Sequence, residues 1–194
     1  MPDPAVFVIT GPSGVGKGTL IRRLLARVRT LELSVSATTR PPRAGEQTGV
    51  DYHFLTDAEF DAHVAAGDFL EHASYSGRRY GTLRTELERR LGDGVPIVLE
   101  IEVQGARQVR SSMPEAVAVF IAPPSPQALR ERLIGRGTDP PEQIDLRLRT
   151  AERELAARDE FAHVIVNDDL EQATAELEAI VTDALGGDPD PSAR

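Results

Sequence analysis

Ala5 to Thr10 (AVFVIT) is a short, β-branched, almost unbroken apolar run, the pattern of a strand buried on both faces. Past a glycine-rich turn, Leu20, Ile21, Leu24, Leu25 and Val28 recur at helical spacing. The same patterns predict strands at Val95 to Val103, Val117 to Ala122 and His163 to Val166, and helices at Pro126 to Ile134 and Glu142 to Arg158. Strands alternating with helices imply an α/β fold with a mainly parallel sheet flanked by helices on both faces. From about Ser34 to Tyr80 the chain instead runs in brief alternating segments rich in Thr, Arg, Gly and Tyr. This stretch is expected to form a small, partly β insert carrying one helix from Asp57 to Ala66. Gly135 to Pro141 (GRGTDPP) breaks the helical pattern and opens an arginine-bearing lid. A single domain follows, with its core at about residues 5–33, 92–133 and 160–185, the insert at about 34–91 and the lid at about 134–159. The polar Gly/Pro/Asp tail, about 186–194, is expected to be disordered.

Composition narrows the chemistry. The 194 residues carry 22 Lys plus Arg against 31 Asp plus Glu, a formal charge of −9, which argues against nucleic acid as a general partner. No cysteine is present, so disulfides, thiolate metal sites and cysteine nucleophiles are excluded. Apolar runs stay far below the roughly 20 residues that span a bilayer, and Met1 to Pro4 have no basic segment of the signal-peptide kind. A cytoplasmic protein with no membrane partner is expected.

The sharpest motif is GPSGVGKGT: Gly11, Pro12, Ser13, Gly14, Val15, Gly16, Lys17, Gly18 and Thr19, between the first strand and the first helix. Glycines there let backbone N–H groups face phosphates, and the helix adds its positive end. Lys17 is the residue expected to reach the β- and γ-phosphates of a nucleoside triphosphate. The residue after the lysine is ordinarily Ser or Thr, a magnesium ligand; here it is Gly18, with the hydroxyl one place later on Thr19. Direct ligation of the metal by a side chain is therefore left unassigned.

The insert supplies a second anion site. Arg40 and Arg43 flank a Pro-Pro pair that stiffens the segment, which suits two guanidinium forks aimed at one anion. Tyr52 and Tyr80 add hydroxyl donors. Glu71 follows an apolar pair in FLEHASYSGRRYGT, and a buried carboxylate there accepts two N–H bonds from the edge of guanine, where adenine has no donor.

GPSGVGKGT, SATTRPPRAGE, GVDYHF, FLEHASYSGRRYGT, LEIEVQGA, FIAPPS, RLIGRGTD and VIVNDD, in this order from about Val6 to Leu185, resemble the guanylate kinase family. The resemblance implies transfer of the γ-phosphoryl group of ATP to GMP, with dGMP as a further acceptor and Mg2+ accompanying ATP. By position it implies that Arg40, Arg43, Tyr52 and Tyr80 hold the GMP phosphate, and that Ser36, Glu71 and Thr82 read the guanine. Glu100 and Glu102 fall near the ribose and the metal, where the family often has Asp. Arg132, Arg136 and Arg147 match lid arginines that close over the ATP phosphates, and Asn167 matches an asparagine near the adenine. The residues by themselves also admit a P-loop kinase for another small phosphate acceptor, or a non-catalytic binding module of the same fold, although such a module is expected to lose the intact loop around Lys17. His53, His63, His72 and His163 show no ligand spacing and read as structural or surface residues.

Overall fold

The structure is a computed structural model that describes residues 5–75, 77–135 and 141–186. Strand β1 (Val6–Thr10) runs through the glycine-rich loop into α1 (Lys17–Arg27) and on to the short β2 (Glu32–Leu33). The chain then leaves the main sheet as β3 (Ala37–Thr38), β4 (His53–Phe54), α2 (Asp57–Ala66), β5 (Phe69–Tyr75) and β6 (Arg78–Leu83). It returns through α3 (Arg84–Gly92), β7 (Ile97–Glu100), α4 (Val103–Ser112), β8 (Val117–Ala122) and α5 (Pro126–Gly135). After the undescribed residues come α6 (Pro141–Leu155), β9 (His163–Val166) and α7 (Leu170–Ala184).

Five strands pair in the order β2-β7-β1-β8-β9, every pairing parallel. The predicted α/β class is therefore the one observed. Residues alternate between faces along a strand, so Phe7 and Ile9 of β1 join one core with Leu20, Ile21 and Leu24 of α1 and Leu177 and Val181 of α7. Val6 and Val8 point the other way, against Leu87 of α3 and Ala106 and Val109 of α4. The strand most completely enclosed is thus central, and the loop at its C-terminal end opens at the switch point where parallel sheets bind ligands.

The insert has its own sheet, ordered β4-β3-β6-β5, over a small core in which Phe60 of α2 stacks on Phe69 at 4.5 Å. Helix α2 begins where predicted because Thr56 and Glu59 form a reciprocal capping box.

Two expectations need correction. The run Val95 to Val103 does not stay a strand: β7 ends at Glu100, Glu102 takes extended N-cap dihedrals, and Val103 opens α4. Val103 is as buried as the strand before it, so hydropathy alone cannot mark the switch. The predicted Glu142 to Arg158 helix stops at Leu155, with Arg158–Glu160 forming a separate 3-10 turn. Helices α3, α4 and α7 and the β5–β6 hairpin go beyond the elements expected from patterning. Arg136 and most of the glycine-proline segment of the lid lie outside the described residues, as does most of the tail.

Candidate functional site

The loop between β1 and α1 is held by contacts a side chain would destroy. Gly11, Gly14 and Gly16 all have positive φ, and a Cβ on Gly11 would stand 2.2 Å from the Ile121 carbonyl oxygen. A Cβ on Gly16 would stand 2.7 Å from Asn167 Nδ2, which donates to the Val15 carbonyl at 2.7 Å. Asn167 thus braces the loop from behind, and Arg132 does the same, donating to the Asn167 carbonyl at 2.8 Å and the Val15 carbonyl at 3.3 Å. Lys17 is 8% exposed, and its Nζ donates to the carbonyls of Gly11 and Pro12. Thr19 accepts from Arg22 at 3.3 Å.

Across the cleft, Glu71 lies in β5 and is 4% exposed. The pairing of β5 with β6 shifts register between Phe69 and Glu71, the kind of irregularity that is over-represented beside sites. Thr82, fully buried, donates its hydroxyl to Glu71 Oε1 at 2.8 Å. Burial pushes the Glu71 carboxyl from 4.5 up to about 7, against the lowering effect of the Thr82 hydrogen bonds, and the charge of Glu102 adds to the rise. Ser36, just before β3, accepts from the His53 N–H through its carbonyl. Tyr52 and Tyr80 meet edge to face at 6.3 Å; burial raises the Tyr52 hydroxyl, and nearby Glu100 reinforces it.

The two arginines of the insert differ. Arg40 forms a bidentate pair with Glu46, both bonds 2.9 Å, and its guanidinium lies 5.2 Å from the Tyr52 ring centre. Arg43 is exposed; its backbone N–H donates to the Glu46 carboxylate at 2.7 Å and its carbonyl accepts the Glu46 N–H at 3.1 Å. Glu46 is therefore the organiser of the Pro-Pro loop, one that sequence reading passed over. Its spacing, three residues beyond Arg43, was the available signal.

Glu100 and Glu102 stand at the C-terminal end of β7. Glu100 keeps contact with solvent, yet surrounding protein raises its carboxyl while Lys17 and Arg22 pull it back down. Both Glu100 carboxylate oxygens lie 3.6 Å from where a Gly18 Cβ would be, so the missing loop side chain and the long acidic one occupy neighbouring space. Glu154 of α6, also unanticipated, is 9% exposed. Burial, followed by the neighbouring Glu102, raises its carboxyl to about 8, while Lys17 and the Ser13 backbone pull the other way. Ile144, Leu148 and Ala151 mark the inward face of α6, and Glu154, three residues on, continues it. Arg147, half-buried, is close enough for its charge to act on Tyr75.

One cleft of about 300 Å3 brings these parts together. Pro12, Ser13, Gly14, Gly16, Lys17 and Gly18 of the loop line it, as do Ser36, Tyr52, Glu71 and Tyr80 of the insert segment and Glu100 and Glu102 at the C-terminal end of β7. Arg40, Arg43, Thr82, Arg132, Arg147 and Asn167 stand outside that lining, as supports or at its margin. A glycine-rich loop carrying a buried lysine, facing a second polar wall across a single cleft, suits two anionic ligands held end to end. The fold and this site define a P-loop nucleoside monophosphate kinase.

A family model described as guanylate kinase matches residues 4–184. The chain belongs to the guanylate kinase family. It is 55% identical over 174 residues to a guanylate kinase of Frankia casuarinae, covering 90% of this chain and 95% of that one. It is 54% identical over 171 residues to a guanylate kinase of Synechococcus sp., covering 88% and 90%. The crystal structure of guanylate kinase from Anaplasma phagocytophilum superimposes with a TM-score of 0.75 at 32% identity, over 93% of this chain and 85% of that one.

Proposed function

We propose that this chain transfers the γ-phosphoryl group of ATP to GMP across the cleft between the loop at 11–19 and the insert. The observation that carries this reading is Glu71: a buried carboxyl, bonded to Thr82, lining the same 300 Å3 as Lys17. The ATP phosphates lie on the loop, with Lys17 moving from its carbonyl partners to the β- and γ-phosphates. Glu71, with Ser36 and Thr82, reads guanine; Tyr52, Tyr80, Arg40 and Arg43 take the GMP phosphate. Arg40 is pre-aimed by Glu46 and the Tyr52 ring, and an incoming phosphate competes with Glu46 for it. Glu102 is placed toward the ribose.

No side chain is needed as a general base. A phosphate monoester has its second pKa near ~6, so the attacking oxygen is already ionised at neutral pH. What remains is to bring two polyanions together and neutralise the transferred group. Lys17 and the lid arginines Arg132, Arg136 and Arg147 serve that end, and closure of insert and lid excludes competing water. Magnesium belongs to the ATP substrate and offsets phosphate charge. Among the described residues no group of three His, Cys, Asp or Glu is arranged to hold a metal; the Glu100 carboxylate lies beside Gly18 of the loop. No helix among the described residues is long and apolar enough to cross a membrane; the cytoplasm is the proposed location.

A coupled ADP-release assay with GMP, AMP, CMP and UMP tests the assignment. GMP is expected to exceed AMP by at least about a thousandfold in kcat/KM, since a site built to pair donors rejects analogues lacking them. Comparable use of AMP, or no turnover with any of the four, refutes it.

A further inference from the structure

Glu71 occupies space that exists only because residue 105 has no side chain. An ideal Cβ on Gly105 would stand 2.2 Å from Glu71 Oε2 and 3.0 Å from its carboxyl carbon, closer than atoms approach without displacement. Gly105 sits inside α4, where glycine ordinarily weakens a helix relative to alanine, and its φ is not among the positive ones. The backbone there does not require glycine; the carboxyl opposite does.

One turn further along the same helix, Gln108 grips the neighbour of Glu71. Its Oε1 accepts the His72 backbone N–H at 3.1 Å, and its Nε2 donates to the His72 carbonyl at 2.8 Å. Strand β5 is an edge of the insert sheet, so these His72 groups face away from β6, and the Gln108 amide pairs them as a further strand would. Residues three apart on a helix share a face. One face of α4 therefore supplies both the slot for the Glu71 side chain and the clamp on the strand that carries it.

We infer that Gly105 and Gln108 are positioning residues for acceptor choice: together they set where the Glu71 carboxylate meets the base edge of the nucleoside monophosphate. This rests on Glu71 being the base reader. A methyl group at 105 pushes the carboxyl aside by a large fraction of an ångström, and loss of the Gln108 amide lets β5 drift from α4.

The test is a set of variants assayed with GMP, AMP and ATP as varied substrates, with thermal unfolding in parallel. Gly105→Ala is expected to lose about a hundredfold in kcat/KM for GMP, the scale for misplacing a contact group by about 1 Å. The loss should fall mainly in the KM for GMP, with the KM for ATP nearly unchanged. Gln108→Leu, which keeps the bulk and removes both hydrogen bonds, should lose about tenfold in the same quantity, and keeps the inference testable if Gly105→Ala does not fold. In a Glu71→Gln background, where the charged reader is already gone, Gly105→Ala should lower GMP use little further. Equal losses in both backgrounds, or a folded Gly105→Ala with normal GMP kinetics, overturn the inference. A Glu71→Gln single variant with unchanged base preference overturns the underlying reading of Glu71 instead.

Discussion

Glu71→Gln sets stability against function, with the two effects opposite in sign. In the unfolded chain a glutamate loses its proton near 4.5, whereas the folded Glu71 holds it to about 7 because burial disfavours the charge. Between those values the native state binds the extra proton, so raising the pH through this window removes stability. The rise corresponds to about 3 kcal/mol of native-state destabilisation once the pH is well above 7, with no large discount for solvent because the group is 4% exposed. A glutamine carries no charge to bury, and its carbonyl still accepts from Thr82. Urea unfolding of both proteins from about pH 5 to about pH 8 should show the variant gaining on the wild type by up to about 3 kcal/mol. Other titrating groups, Glu154 among them, contribute to both proteins and cancel in the difference. Function runs the other way. On the proposed reading, guanine N1–H and its 2-amino group meet an ionised Glu71, so GMP binding is expected to expel the Glu71 proton and gain two charge-assisted bonds worth roughly 1.5–3 kcal/mol each. The variant offers an N–H where guanine also has one, and most of the preference for GMP over AMP should vanish through weaker GMP use while ATP binding stays near normal. A pH-independent stability difference would show that Glu71 is not held protonated in the free enzyme. Unaltered discrimination would pass the role of guanine reader to Ser36, Thr82 or Glu102.

Lys17→Ala should leave the fold intact and lower turnover by at least about a hundredfold, the usual consequence of removing a single group that stabilises developing charge; near-normal turnover in a folded variant counts against the loop as the ATP site. GMP and a non-hydrolysable ATP analogue together should compact the protein more than either alone, on the proposed reading that separate flanking segments hold the two ligands. Small-angle scattering that gives one radius in every ligand state argues against such closure.

The strand–loop–helix around Lys17, the α/β class and helix α2 were legible in the chain because each rests on local chemistry. Glycines permit the loop, a β-branched run makes the buried strand, and a Thr56–Glu59 box starts the helix. Hydropathy failed at Val103, where a buried strand end and a buried helix start look alike. Sequence patterns placed Glu71 in the acceptor site, yet its titration, its bond to Thr82 and the slot at Gly105 come from three segments meeting in space. Glu154 was hidden for a similar reason: within the charged run of α6 it resembles a solvated face, and only packing turns it inward against Glu102 and Ser13. Arg40 and Arg132, both read as phosphate ligands, are held by Glu46 and by loop carbonyls respectively. Local pattern determines which backbone shapes and side-chain chemistries are available, because those depend on neighbours in the chain. Burial, charge state and partner choice depend on residues remote in the chain, and for these the tertiary structure decides.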